Sequence, residues 1–203
     1  MVPITQAVRR IVSTRLPTKS GLFQLVGYER ESPGKIETAL ALMLGDLAQG
    51  APMLRIHSQC FTGEILGSLR CDCRDQLESA METIAAEGRG LVIYEHQEGR
   101  GIGLMAKLQA YALQDKGLDT VEANHALGFD ADCRDFGLPI AILQELKISR
   151  VRLLSNNPEK HEALVQAGIE VTECISCETT PNIHALSYLR TKKEKMGHAL
   201  RLV

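Results

Sequence analysis

The sequence predicts an α/β (mixed α+β) protein: a single domain with a mixed sheet flanked by helices. Three observations lead to that class. Short apolar runs bounded by Gly, Pro and Ser open the chain, the pattern of strands joined by turns. From Asp75 onward, apolar residues at helical spacing alternate with short apolar runs, as in strand–helix units. The chain is 203 residues, 44% hydrophobic and 24% charged, so it can bury a sizeable core without staples and gives no reason to expect long disorder.

Taken in order, about residues 1–14 carry weak signals and are expected to fray. Leu22–Tyr28, Ala39–Leu44 and Met53–His57 read as strands, separated by the turn-rich Glu31-Ser32-Pro33-Gly34 and by Gly50-Ala51-Pro52. Leu77, Ala80, Met81, Ile84 and Ala85 recur at helical spacing, with Gly88 as a stop. Leu91–Tyr94 follows as a buried strand. A second helix is expected from about Ile102 to Lys116, a third from Leu138 to Leu146, then a strand at Val151–Leu154. Asn157 is a capping residue and Pro158 fits the first position of the next helix. Gly168 ends that helix before a strand at Ile169–Val171, and Cys174–Ser187 reads as a loop. No boundary divides the chain, so one domain over residues 1–203 is expected.

Lys plus Arg is 23 and Asp plus Glu is 25, a formal charge of -2. That balance argues against nucleic acid as a partner and leaves room for a small anion held by a local basic cluster. No apolar run approaches a membrane span. The N-terminus has no basic stretch followed by an apolar block, so a reducing cytoplasm is expected, where close cysteines signal metal or catalysis more often than disulfides.

Cys60, Cys71 and Cys73 have the spacing Cys-x10-Cys-x-Cys. A Cys-x-Cys pair can place two thiolates on one metal, with a third returning from the preceding strand end. Three thiolates leave a fourth tetrahedral position, as in a catalytic zinc site. A structural zinc with Cys133 or His57 as fourth ligand, or ordinary buried thiols, are the alternatives from spacing alone. Zinc with three thiolates carries a net charge of about -1, so a catalytic site needs positive charge nearby, for which Arg55, His57 and Arg70 are close in sequence. Cys174-Ile175-Ser176-Cys177 is a lone Cys-x-x-Cys without a completing partner.

Glu98-Gly99-Arg100-Gly101-Ile102-Gly103 joins a strand to a helix, where glycines let backbone N–H groups approach an anion. Glu98 is placed for directional contact, since a carboxylate can accept from both N1–H and the 2-amino group of guanine. Asp130-Ala131-Asp132-Cys133-Arg134-Asp135 reads as a capping or ion-pairing loop, and Ser155-Asn156-Asn157 with Lys160 sits at a strand end, where ligands gather in α/β sheets. Tyr111 lies on an apolar helix face.

Taken together and in order, these strings resemble the GTP cyclohydrolase II family. The matching strings are Arg55–Cys60, Ser68–Cys73, Gln97–Leu104, Tyr111–Asp115, Asp119–Asn124, Asp132–Phe136, Leu154–Pro158 and Lys195–His198. The resemblance runs from about Leu16 to His198, with no sign of the synthase partner to which the domain is often fused, so it suggests the stand-alone form. It implies a GTP cyclohydrolase II-like fold and zinc-dependent hydrolysis of GTP to 2,5-diamino-6-(5-phosphoribosylamino)pyrimidin-4(3H)-one, formate and diphosphate, the first step of riboflavin biosynthesis.

The resemblance also implies roles. Cys60, Cys71 and Cys73 would hold zinc. Asp132 would be the proton acceptor, Arg134 a nucleophile or triphosphate-binding residue, and Tyr111 an active-site tyrosine. Arg55, Ile56, His57, Ser58, Gln59, Gln76, Glu98, Gly99, Arg100, Thr120, Ser155 and Lys160 would contact GTP. Magnesium would accompany the triphosphate, and the working form would be a homodimer. Gln59 stands where the family usually has Glu, and Ser155 where many members have Thr. The first departure keeps open a paralogue that stops at the formamide product or takes another purine triphosphate, or an inactive zinc- and nucleotide-binding module.

Overall fold

Strands β1 (Arg9–Thr18), β2 (Gly21–Ser32) and β3 (Lys35–Leu44) form an antiparallel meander. Strands β4 (Met53–Ser58), β5 (Gly90–Glu95), β6 (Arg150–Leu154) and β7 (Glu170–Ile175) complete one sheet in the order β1-β2-β3-β5-β4-β6-β7. The β3–β5 pairing is antiparallel, whereas β5–β4, β4–β6 and β6–β7 are parallel. The sheet is therefore mixed, as expected, with its antiparallel part contributed by the front of the chain. The structure, a computed structural model, describes residues 7–203.

Helices α2 (Cys73–Glu87), α5 (Gly137–Glu145) and α6 (Pro158–Gln166) flank the sheet. Side chains alternate across each strand. Val26, Tyr28, Leu54, Ile56, Leu91 and Ile93 pack with Leu138, Ile142 and Leu143 of α5 and Leu164 of α6. The intervening Phe23, Leu42, Met53 and Val92 pack with Ala80 and Ile84 of α2. That alternation carries Arg55 and His57, which share the parity of Met53, to the α2 side of β4, where they are 5% and 2% exposed.

Several elements depart from expectation. The first six residues of the stretch expected to fray lie outside the described residues. From Arg9 the chain is an edge strand held by its backbone ladder to β2. Its residues are mostly exposed, Ile11 at 51% and Val12 at 57%, so burial never imprinted an apolar pattern on it. Helix α2 begins at Cys73 rather than Asp75, and α3 (Leu104–Gln114) begins two residues later than expected, because Glu98–Gly101 forms a separate 3-10 turn.

Three helices were not anticipated: α1 (Phe61–Glu64), α4 (Thr120–Ala126) and α7 (Leu186–Met196). Helix α4 is set by a capping box, in which Asp119 accepts from Val121 and Glu122 N–H while Glu122 reaches back to the Asp119 N–H. Of the stretch expected as a loop, Cys174–Ile175 ends β7 and Leu186–Ser187 begins α7. Among the described residues, no helix is long and apolar enough to cross a membrane.

Strand β5 ends on Glu95, a carboxylate 1% exposed with one oxygen lacking a hydrogen-bond partner. Burial pushes its pKa up to about 7, against the pull of Lys160, the Gln97 amide and Arg134.

Ile93→Ala, in the centre of the sheet, should lower stability by about 2–5 kcal/mol, whereas Ile11→Ala on β1 should cost under ~0.5 kcal/mol. Urea midpoints at unchanged slope measure both. Because the folded Glu95 keeps its proton where the unfolded chain has lost it, stability should fall as pH rises from the ordinary Glu range through about 7. Glu95→Gln should flatten that slope, and an unchanged slope would assign it to other groups.

Candidate active site

Parallel strands β4, β5 and β6 all end on the same side of the sheet. Residues of the segments that leave them, Gln59 and Cys60, Gln97, Gly99 and Arg100, and Ser155–Asn157, line one cleft. This is where open α/β sheets gather ligands, since strand-end loops leave polar groups free of the ladder. The cleft has a sulfur end and a cationic end.

At the sulfur end, Cys60 follows β4, and Cys71 and Cys73 lie at the start of α2. Their sulfurs lie within 4.8 Å of one another, with Cys60 Sγ to Cys71 Sγ at 3.5 Å. A tetrahedral zinc with sulfurs at 2.3 Å requires sulfur–sulfur distances of about 3.8 Å, so the triad fits with little movement. Gly63 keeps the sulfur cradle open: a Cβ there would stand 3.0 Å from Cys71 Sγ and 3.1 Å from Cys60 Sγ. No fourth His, Cys, Asp or Glu joins the group among the described residues. Cys133 is exposed, and His57 Nε2 lies 2.9 Å from Glu64 Oε1. Cys174 is exposed while Cys177 is buried against the α2 side of the sheet, and both are free thiols.

The loop that carries Cys60 is held from three sides. Glu64 Oε1 accepts from the Cys60 N–H at 2.8 Å, and Glu64 Oε2 accepts from Tyr94 OH at 2.6 Å. Glu98 Oε2 accepts from the Phe61 N–H at 2.6 Å. Lys107 Nζ donates to Glu98 Oε1 at 2.6 Å and lies 3.1 Å from Cys60 Sγ. Hydrogen bonds from the Cys71 and Cys73 thiols, with the Lys107 charge, hold Cys60 well below the usual thiol range. Tyr111 OH lies 3.3 Å from Thr62 Oγ1, and burial pushes its phenol pKa up. Burial also lowers the His57 pKa to about 4, so its imidazole is neutral near pH 7.

The other end is basic. Lys160 is 5% exposed; its Nζ donates to the Ile56 carbonyl at 2.8 Å, and burial followed by the charges of Arg55 and Arg134 lowers its pKa. Arg134 is clamped by Asp132, whose Oδ1 accepts from Nε at 2.8 Å and whose Oδ2 accepts from Nη2. That leaves Arg134 Nη1 toward Ser58 Oγ, at 3.5 Å. Arg100 sits at φ 59, a left-handed conformation unusual for a side-chain-bearing residue. Next to it, a Cβ on Gly101 would stand 2.7 Å from the Cys133 carbonyl oxygen.

Most residues expected at the site line this cleft: Arg55, His57, Ser58, Gln59, Gln76, Gly99, Arg100, Tyr111, Thr120, Arg134, Ser155 and Lys160, with the three cysteines. Three do not. Ile56 points into the core, its carbonyl alone reaching Lys160. Asp132 stands behind Arg134. Glu98 accepts from the Phe61 N–H and from Lys107, so its carboxylate braces the cysteine loop. Gln59 turns its amide oxygen to His96 Nδ1 at 3.0 Å.

Sequence reasoning missed Lys107, Glu64, Tyr188 and Lys192, and reached His198 only as the end of the Lys195–His198 string. Only Lys107 had a usable signal: it precedes Tyr111 by four residues and so shares its helix face.

The GTP cyclohydrolase II family model matches residues 9–176. GTP cyclohydrolase-2 of Azotobacter vinelandii is 51% identical over 191 residues, covering 94% of this chain and 91% of that protein. GTP cyclohydrolase-2 of Teredinibacter turnerae is 50% identical over 195 residues, covering 96% and 97%. The riboflavin biosynthesis protein RibBA of Cytophaga hutchinsonii is 49% identical over 194 residues, covering 95% of this chain and 47% of that protein, so the chain spans about half its length. A family match over most of the chain, with relatives this similar along nearly all of it, makes the assignment direct: the chain belongs to the GTP cyclohydrolase II family.

Proposed function

We propose that the protein hydrolyses GTP to 2,5-diamino-6-(5-phosphoribosylamino)pyrimidin-4(3H)-one, formate and diphosphate, with zinc held by Cys60, Cys71 and Cys73. The observation that carries this is the pairing, in one cleft, of a three-sulfur cradle lacking a fourth protein ligand with a buried basic end. Held by Cys60, Cys71 and Cys73, zinc would supply Lewis acidity and a way to activate water at neutral pH. Magnesium accompanies the triphosphate. A homodimer in the cytoplasm is the working form that family membership suggests.

The chain's own groups divide the work. Lys107 offsets the negative charge of the thiolates, which would otherwise oppose activation of water at the metal. Tyr111, kept protonated by burial, donates to the oxygen that becomes negative as C8 turns tetrahedral, first on ring opening and again on release of formate. Arg134 meets the α-phosphate with the donor that Asp132 leaves free. Asp132 stays ionised against Arg134 and orients it. Arg134 remains charged beside Asp132, so stabilising transition-state charge is a simpler role for it than attack on phosphorus. Lys160, facing the same end, gains a counter-charge when the triphosphate enters. Gln76 lines the cleft where the base would lie, with its amide already ordered by Arg55 and Asp72.

GTP turnover with zinc and magnesium, followed by mass spectrometry, tests the reading. Formate, diphosphate and the diaminopyrimidinone are expected; a formamide end product or absence of turnover would overturn it. Cys73→Ser should lose zinc and formate release together, and formate release persisting without zinc would remove the metal from the account. Lys107→Met should keep zinc, lower kcat by about 10–100-fold and move the acid limb of the pH–rate profile upward. An unshifted limb would show that Lys107 does not tune the water.

A further inference from the structure

Helix α7 lies beyond the residues that the family model matches, yet it forms a wall of the cleft. Tyr188 and Lys192 on α7, and His198 just after it, all line the cavity. The segment is tied down rather than loosely apposed. Asn156, in the loop after β6, accepts through its carbonyl from the Ala199 N–H at 3.0 Å and donates through its side chain to the Ala199 carbonyl at 2.8 Å. Glu178 Oε2 accepts from the Arg201 and Leu202 N–H groups at 2.8 and 2.9 Å. Ala185, Leu189 and Leu200 form a small apolar cluster beneath.

Lys192 is 8% exposed, and its nearest carboxylate, Asp72 Oδ1, is 3.4 Å away. That is long for a charge-assisted bond, which runs about 2.7–2.9 Å, and Asp72 already accepts from Gln76 Nε2 at 2.5 Å. The ammonium also lies 4.5 Å over the Tyr188 ring, and the same ring carries the Arg100 guanidinium at 5.3 Å. Arg100 Nη2 and Arg55 Nε are buried without a hydrogen-bond partner. Burial, and then the charges of Lys192, Arg134, Arg100 and Lys160, push the His198 pKa down to about 3. Basic groups from five separate segments thus face one volume with few carboxylates among them. Such an arrangement is costly unless a multiply charged anion enters.

We propose that α7 completes the anion subsite: Lys192, with Arg100 held against Tyr188, binds the polyphosphate of the substrate. This rests on the assignment of the cleft to a nucleoside triphosphate. On binding, the Lys192 ammonium exchanges its long contact with Asp72 for phosphate oxygens. The neutral His198 imidazole adds an N–H donor without further repulsion among the cations.

The test is calorimetric titration of the zinc-loaded full chain with inorganic tripolyphosphate, GTP and guanosine at constant ionic strength, with zinc content measured alongside. Lys192→Gln should weaken tripolyphosphate and GTP by about tenfold or more, leave guanosine and zinc unchanged, and be largely rescued by Lys192→Arg. Unweakened tripolyphosphate binding would leave Lys192 as a partner of Asp72 only and overturn the proposal. Loss of guanosine and zinc as well would mark a purely structural role and also overturn it. Failure of the unsubstituted protein to bind either GTP or tripolyphosphate would instead sink the nucleotide assignment itself. If the variant does not fold, hydrogen exchange on the unsubstituted chain decides: tripolyphosphate should slow exchange across residues 186–200, and unchanged exchange there overturns the proposal.

Discussion

Three thiolates cannot share a small volume without a cation. At the 3.5 Å between Cys60 Sγ and Cys71 Sγ, two full charges repel by on the order of 5 kcal/mol at an effective dielectric of about 20. Much of the surrounding structure answers that constraint. Lys107 brings a positive charge to Cys60, and Glu98 fixes Lys107 while also holding the Phe61 N–H. Glu64 secures the Cys60 N–H and is itself bound by Tyr94. Gly63 supplies the missing Cβ that leaves the sulfurs room. These residues make sense as a scaffold for a soft divalent ion and little sense as an ordinary core.

The opposite end poses the mirror problem. Arg55, Arg134, Lys160 and Lys192 are drawn together by four elements of different origin: strand β4, whose alternation turns Arg55 inward, the loop before α5 bearing Arg134, the first turn of α6 bearing Lys160, and α7 bearing Lys192. One chain of hydrogen bonds joins the two ends. Arg55 donates to Gln76 Oε1, Gln76 donates to Asp72 Oδ2, and Asp72 lies between Cys71 and Cys73. The basic end and the sulfur end are therefore held in register by α2, whose first turn carries Cys73 and Gln76.

Much of this was legible in the sequence wherever burial or capping writes a pattern. The central strands show as apolar runs because both faces are covered, and Asn157-Pro158 announced its helix by capping chemistry. The Cys-x10-Cys-x-Cys spacing indicated convergence because a strand end and a helix start can return three sulfurs to one point. Strand β1 was illegible because its hydrogen bonds, not its side chains, hold it. Helix α7 was illegible for a related reason: it is largely polar, and what it buries includes Thr191 and Lys192. The contacts of Glu98 with Phe61 and Lys107 were illegible because spacing places a residue in a loop without saying what its carboxylate already binds.

The most direct test of the central claim is X-ray absorption at the zinc edge on the purified, zinc-loaded protein. Three sulfur neighbours at about 2.3 Å with one oxygen or nitrogen at about 2.0 Å is the predicted result, a site closed on three sides by the chain and open on the fourth. Four sulfurs, or a coordination shell without sulfur, would contradict it.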